Sequence, residues 1–213
     1  MEGLPSKEEW FNAMAEYHGA AVQRRLLMSS VAVCGLGGLG SNIALSLARA
    51  GVGGLILIDF DEVNITNLNR QQYKAAQLGM KKAKALAENL YEIAPYTRLK
   101  ALVCKVTEEN LCELLQAADI VCEAFDEPEE KAMLVNGVLE RLPDKYLVAG
   151  SGMAGFASAN LIRTRKITER FILCGDGISD VSEGKGLVSS RTAVCAAHQA
   201  HAVIRIISGE REI

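Results

Sequence analysis

The turn Gly35-Leu36-Gly37-Gly38-Leu39-Gly40, the acids Asp59, Asp61 and Asp126, and the bases Arg70 and Lys82 are the groups whose types and order suit work on a phosphate-bearing ligand. The turn follows an apolar run, Val31-Ala32-Val33-Cys34, and leads into a helix-like stretch from Ser41 to Ala50. In that context the glycines have separate tasks. Gly35 lets the chain turn sharply out of a strand. Gly37 and Gly38 bring backbone close to a phosphate, and Gly40 lets the helix pack tightly on the sheet. The helix start offers free N–H groups and the positive end of its dipole to an anion. The alternative is a glycine-rich turn without a ligand.

A second apolar run, Leu55-Ile56-Leu57-Ile58, ends in Asp59, where a carboxylate can hold ribose hydroxyls. A polar segment follows, from Asp61-Glu62-Val63 to Asn67-Leu68-Asn69-Arg70-Gln71. It lies just past the carboxyl end of strand two, where open α/β sheets bind ligands. Arg70 can stabilise a polyphosphate there, and Lys82, opening the next helix, can do so as a point charge. Asp126 reaches the same edge past strand four and can hold Mg²⁺. An arginine, a lysine and a metal-binding aspartate around a glycine turn suit ATP better than nicotinamide. The plain alternatives are a surface ion pair of Arg70 with Asp61 or Glu62, a basic helix face for Lys82 beside Lys81 and Lys84, a strand-end turn residue for Asp59, and an N-cap for Asp126.

The elements that must position these groups are legible from periodicity. Ser6-Lys7-Glu8-Glu9 is a capping-box pattern and predicts a helix running toward Leu27, with Trp10 and Phe11 as anchors. Strands are expected at 30–34, 54–59, 98–104, 119–124 and 146–150. Helices are expected at 39–50, at 80–93, after a Thr107 cap, and from Glu127-Pro128 to Leu142. This alternation argues for a doubly wound, mostly parallel, Rossmann-like sheet. The pattern then changes to two consecutive strands, 157–164 and 169–174, expected as an antiparallel hairpin. A glycine- and serine-rich loop over 175–190 and a final helix over 191–208 follow. The chain is expected to be one domain, 1–213, with an N-terminal helical extension (1–28), a nucleotide-binding core (29–156) and a C-terminal part (157–213).

Length and composition agree with a single soluble unit: 213 residues, 49% hydrophobic and 23% charged. A net charge of −3 favours neither a nucleic-acid backbone nor an anionic membrane as partner. No leader-type segment opens the chain and no apolar run reaches membrane length; the cytoplasmic setting that is expected rests on the cysteines, which suggest a reduced compartment. The six cysteines form no CxxC pair, which argues against both a disulfide framework and a closed zinc site. Cys34, Cys104 and Cys122 read as small hydrophobes. Cys195, inside an alanine- and valine-rich helix, reads as a buried inert thiol and not a nucleophile. Cys174, ending a strand before the loop, is expected to be somewhat more exposed. His18, His198 and His201 show no ligand spacing.

The ordered set Gly-x-Gly-Gly-x-Gly, Asp59-Phe60-Asp61, Asn67-Leu68-Asn69-Arg70-Gln71, Gly79-Met80-Lys81-Lys82 and Phe125-Asp126 resembles the ThiF/MoeB/HesA group, relatives of ubiquitin-activating enzymes. The resemblance covers roughly residues 20–208. It implies ATP- and Mg²⁺-dependent adenylation of the C-terminal glycine of a small ubiquitin-like sulfur-carrier protein. Asp59 would hold ribose, Arg70 and Lys82 phosphate, and Asp126 magnesium. Asn67 would arrange the triphosphate, with Asp61 and the glycine turn completing the nucleotide site. The resemblance also implies a homodimer in which an N-terminal arginine, Arg24 or Arg25, enters the partner's site. The family's paired CxxC motifs are missing, so no zinc is expected and the short, thiamine-associated branch is the nearest. The rival readings are an NAD(P)-dependent oxidoreductase, which leaves Arg70 and Asp126 unexplained, and a non-catalytic binder of a ubiquitin-like protein.

Overall fold

The computed structural model describes residues 3–180 and 186–210. Five parallel strands carry the core: β1 (Ser30–Cys34), β2 (Gly54–Ile58), β3 (Arg98–Leu102), β4 (Ile120–Glu123) and β5 (Tyr146–Gly150). An antiparallel hairpin, β6 (Arg163–Lys166) and β7 (Phe171–Gly175), extends the sheet, with β7 parallel to β5. The order is β3-β2-β1-β4-β5-β7-β6. The chain reverses direction across the sheet at β1, between β2 and β4, which is the topological switch point where such sheets bind ligands.

Both faces are covered, so the central strands carry continuous apolar runs, and β2 is buried along its whole length. One core lies under α3 (Gly38–Arg49), α4 (Lys82–Ile93) and α7 (Ser189–Ser208), including Val31, Val33, Leu47, Leu86 and Val203. The other lies under α5 (Leu111–Leu115) and α6 (Pro128–Arg141), with Ala32, Val121, Leu134 and Leu147. No helix among the described residues is long and apolar enough to cross a membrane.

The N-terminal helix departs from its expected single run. The Ser6 capping box forms, with Glu9 as its partner. Gly19, at φ +85°, then divides it into α1 (Lys7–His18) and α2 (Ala20–Met28). Trp10 and Phe11 do anchor α1, both against Tyr96. Thr107 does not cap α5. The helix starts later, at Leu111, because Asn110 accepts from the Thr107 amide and holds a turn ahead of it. The first hairpin strand also begins later than expected, since Ser158 caps a 3-10 turn at Ala159–Leu161. Residues 181–185 of the expected loop lie outside the described residues.

Candidate nucleotide site

The glycine turn leaves the end of β1 with Gly35 at φ +86°, and an added Cβ would stand 2.7 Å from the Ala124 carbonyl oxygen. A Cβ on Gly40 would stand 1.8 Å from the Gly35 carbonyl oxygen, so the first turn of α3 rests directly on the loop. Gly37 differs: its missing Cβ would meet only Gln71 Nε2, at 3.6 Å. Apart from Gly37 and its chain neighbours, no other atom of the described residues lies within 4 Å of that position. No side chain caps α3, so its first-turn amides have no side-chain acceptor.

Asp59 sits at the end of β2, buried. One oxygen accepts from the Leu36 amide at 2.7 Å, the other from the Asp61 amide at 2.8 Å. Burial raises its pKa, and the nearby Lys82 charge together with these two amides pulls it back down. Tyr73 donates to the Leu36 carbonyl at 2.7 Å, so the loop is clamped from both sides. Burial and the Asp59 and Asp61 charges push the Tyr73 hydroxyl far up, and it remains a neutral donor.

The polar segment after β2 folds as a compact bracket over α3. Asn67 accepts from the Asn64 amide at 3.0 Å and closes a 3-10 turn at Ile65–Asn67. Asn42 of α3 donates to the carbonyls of Gly38 and Arg70, at 2.7 and 3.2 Å. Arg70 Nη1 donates to the Thr66 carbonyl and to Asn69 Oδ1, both at 2.9 Å. Its aliphatic stem passes beside Gly38. Its Nε and the Oε1 of Gln71 are buried without partners among the described residues, on side chains that lie beside Gly38 and Gly37. Arg70 forms no ion pair with Asp61 or Glu62; Lys82 takes Asp61 at 2.8 Å and Lys81 takes Glu62 at 3.1 Å.

Asp126 is exposed just beyond β4, and Glu127, not Asp126, occupies the N-cap position of α6. Among the described residues no group of three or more His, Cys, Asp or Glu side chains gathers into a metal cluster. The sheet therefore brings the glycine turn, Asp59, Arg70, Lys82 and Asp126 to one edge. Arg24 and Arg25 are elsewhere, exposed on α2. Arg25 donates to the Ser208 carbonyl at the end of α7, while Arg24 has no partner among the described residues.

Several residues of this edge had no signal in the motifs. Glu123 is fully buried in β4, where Lys131 Nζ binds both its oxygens, at 2.8 and 2.7 Å, and the Gly150 carbonyl, at 3.0 Å. Glu123 also accepts from the Phe125 amide at 2.8 Å, fixing the backbone that leads into Asp126. Arg191 of α7 pairs with Asp176 at 2.5 Å and donates to the Ala154 carbonyl. Thr192, next to it, touches the Gly38 position. Cys174 is buried, contrary to expectation, because β7 lies under α7, from which Cys195 reaches the Cys174 carbonyl at 3.7 Å. His198 bonds Thr164 at 2.9 Å and His201 is exposed, so neither joins the site.

A doubly wound sheet with an uncapped glycine turn at its switch point defines a Rossmann-like protein. The chain belongs to the ThiF family, whose model matches residues 12–213. It is 32% identical over 203 residues to the adenylyltransferase and sulfurtransferase MOCS3 of Anopheles gambiae, covering 89% of this chain and 44% of that protein. Over 113 residues it is 38% identical to the molybdopterin-synthase adenylyltransferase of Haemophilus influenzae, covering 53% of this chain and 46% of that protein. The chain thus spans less than half the length of either relative. A crystal structure of the Escherichia coli tRNA N6-threonylcarbamoyladenosine dehydratase in complex with ATP has the same fold, with a TM-score of 0.85 at 24% identity, covering 97% of this chain and 98% of that one.

Proposed function

We propose that the chain is an ATP-dependent adenylyltransferase that activates a carboxylate. The observation that carries this is the orphaned Nε of Arg70 beside an uncapped helix start and an open Gly37. A buried guanidinium nitrogen without a partner is costly unless a ligand supplies one. A polyphosphate lying over the turn supplies acceptors for Arg70, the α3 amides and Lys82 together. Asp59, fixed at the end of β2 by the Leu36 and Asp61 amides, is proposed to hold the ribose through the remaining acceptor capacity of its carboxylate.

The carboxylate oxygen attacks the α-phosphorus of ATP and pyrophosphate leaves, which gives an acyl-adenylate. This chemistry needs alignment and charge stabilisation and no covalent protein group. Asp126 would hold Mg²⁺, which would neutralise phosphate charge; with no group of three or more His, Cys, Asp or Glu side chains gathered among the described residues, phosphate and water would supply most of the other ligands. Arg24, without a partner among the described residues, is the better candidate to reach a partner protomer's site, since Arg25 already holds the end of α7.

The substrate carboxylate is proposed to be the C-terminal glycine of a ubiquitin-like sulfur carrier. The lack of CxxC pairs supports the thiamine-associated branch, and the Haemophilus relative's name points to molybdopterin. A second reading is suggested by a relative, the tRNA threonylcarbamoyladenosine dehydratase of Escherichia coli, to which the chain is 33% identical over 127 residues, 59% of this chain and 47% of that protein. On that reading the activated carboxylate is the threonylcarbamoyl group of a modified tRNA. Pyrophosphate release from ATP, measured with thiamine-type and molybdopterin-type carriers and with threonylcarbamoylated tRNA, separates the readings. Release with one carrier supports the first, release with the tRNA alone supports the second, and release with none contradicts both.

A further inference from the structure

We infer that Asp61 is a stand-in for phosphate at Lys82: its carboxylate neutralises the lysine before the nucleotide arrives and yields it to the polyphosphate. This rests on the adenylation reading and gives Asp61 a role other than nucleotide ligand.

The pair is lopsided. Lys82 Nζ is 2.8 Å from Asp61 Oδ2, with the lysine side chain 8% exposed and the aspartate side chain 49% exposed. The amine is sunk in the site and the carboxylate stands at its mouth. A cation that deep needs an anion, since an unpaired buried charge is strongly unfavourable. Asp61 is also held by its backbone on both sides. Its amide donates to Asp59 at 2.8 Å, and its carbonyl accepts from the Lys82 amide at 2.9 Å. The carboxylate is therefore free to swing outward by a rotamer change while the backbone, Asp59 and the glycine turn stay in place.

Arg70 shows the contrast. Its partners are a carbonyl and an amide oxygen, so no carboxylate competes with phosphate there. Of the two cations aimed at polyphosphate, one carries a built-in competitor. A triphosphate, with more charge, displaces Asp61 more effectively than a monophosphate. Once pyrophosphate departs, the Asp61–Lys82 pair can close again.

The test is calorimetry with ATP on the wild type, on Asp61→Asn, and on Asp61→Asn in a Lys82→Met background. Asp61→Asn is expected to bind ATP about tenfold tighter, because the lysine then lacks its resident anion. The gain is expected to vanish when Lys82 is also replaced. Without ATP the single variant should melt below the wild type, and ATP should raise its Tm by more than it raises the wild type's. Equal or weaker binding by folded Asp61→Asn overturns the inference while leaving the adenylation reading intact. Failure of the wild type to bind ATP overturns the adenylation reading itself. Wild-type crystals grown with ATP give an independent answer: Lys82 on a phosphate oxygen with Asp61 turned away supports the inference, and an unbroken pair contradicts it.

Discussion

Lys131 grips both carboxylate oxygens of Glu123 and the carbonyl of Gly150, so one ammonium ties α6 to the ends of β4 and β5 at the edge that carries the candidate site. Glu123 is fully buried. Burial raises its pKa, and the Lys131 charge is the largest influence pulling it back down. Replacing Lys131 by Met removes that pull and leaves a buried carboxylate without its cation. Such a break costs about 3 kcal/mol near neutral pH. A carboxylate with a raised folded-state pKa favours folding below its unfolded pKa and loses that contribution as the pH rises through the folded value. Urea unfolding at about pH 5 and about pH 8 should therefore show the deficit of Lys131→Met widening toward the higher pH. A deficit that does not change with pH would show that Glu123 is not the group left exposed to the loss. Adding Glu123→Gln should remove the pH dependence.

Asp176 and Arg191 behave as a second buried pair, with side chains 3% and 4% exposed. Burial pushes the Asp176 carboxyl up, but the amides of Ser179 and Ile178 and the Arg191 guanidinium outweigh it and hold the pKa below the usual range. The stability this gives is present above the unfolded pKa and lost only as the pH falls through the depressed value. Asp176→Asn strands Arg191 and should cost about 3–5 kcal/mol. Arg191→Met leaves Asp176 with its two backbone donors and should cost less, and the double variant should be milder than Asp176→Asn alone. Denaturant midpoints for the three variants check this. Equal losses for both single variants would contradict the asymmetry.

Thiol chemistry is not expected at Cys195. Burial, then the nearby Cys174, pushes its pKa up to about 12, and burial pushes Cys174 up to about 11. Near neutral pH Cys195 is therefore held as the neutral thiol. Brief iodoacetamide treatment of the native protein should label the partly exposed Cys104 and Cys112 first and leave Cys174 and Cys195 unmodified. Cys195→Ser should retain adenylation. Native labelling of Cys195, or loss of pyrophosphate release in Cys195→Ser, would show a nucleophilic role.

Arg70→Ala and Asp126→Ala should each lower substrate-dependent pyrophosphate release by about a hundredfold or more, the usual effect of removing a preorganised charge beside a reacting phosphate. Asp126 is exposed and makes no cap, so its variant should melt with the wild type. A large drop in Tm for Asp126→Ala would assign it to structure instead.

The parallel sheet and its switch point were legible because apolar runs alternate with helical patterns and punctuating residues, with Gly35 after the first run, Asp59 after the second, Pro95 after α4 and Pro128 at the start of α6. The glycine turn and Asp59 could be read together for the same reason: strand, turn, helix and strand follow in one short stretch. The N-terminal break was not legible, since a lone glycine within a helical pattern is tolerated in many helices, and here Gly19 takes a φ of +85° that ends one. The buried pairs escaped because their partners come from separate elements: Asp176 follows β7 while Arg191 opens α7. One trace was available. Glu123 interrupts the apolar run Val121-Cys122-Glu123-Ala124, and a charge inside a central parallel strand demands a buried counter-ion. Tyr73 and Gln71 gave no such sign, because the polar segment holding them has no periodicity from which to read which side chains turn inward.

The central claim is that the edge formed by the glycine turn, Arg70 and Lys82 is built for ATP. Calorimetry of the wild type and of Arg70→Ala, each titrated with ATP and magnesium and separately with NAD, tests it most directly. The account predicts saturable ATP binding by the wild type, loss of that binding in folded Arg70→Ala, and no comparable affinity for NAD. Tight NAD binding with none for ATP, or ATP binding unchanged by Arg70→Ala, would contradict it.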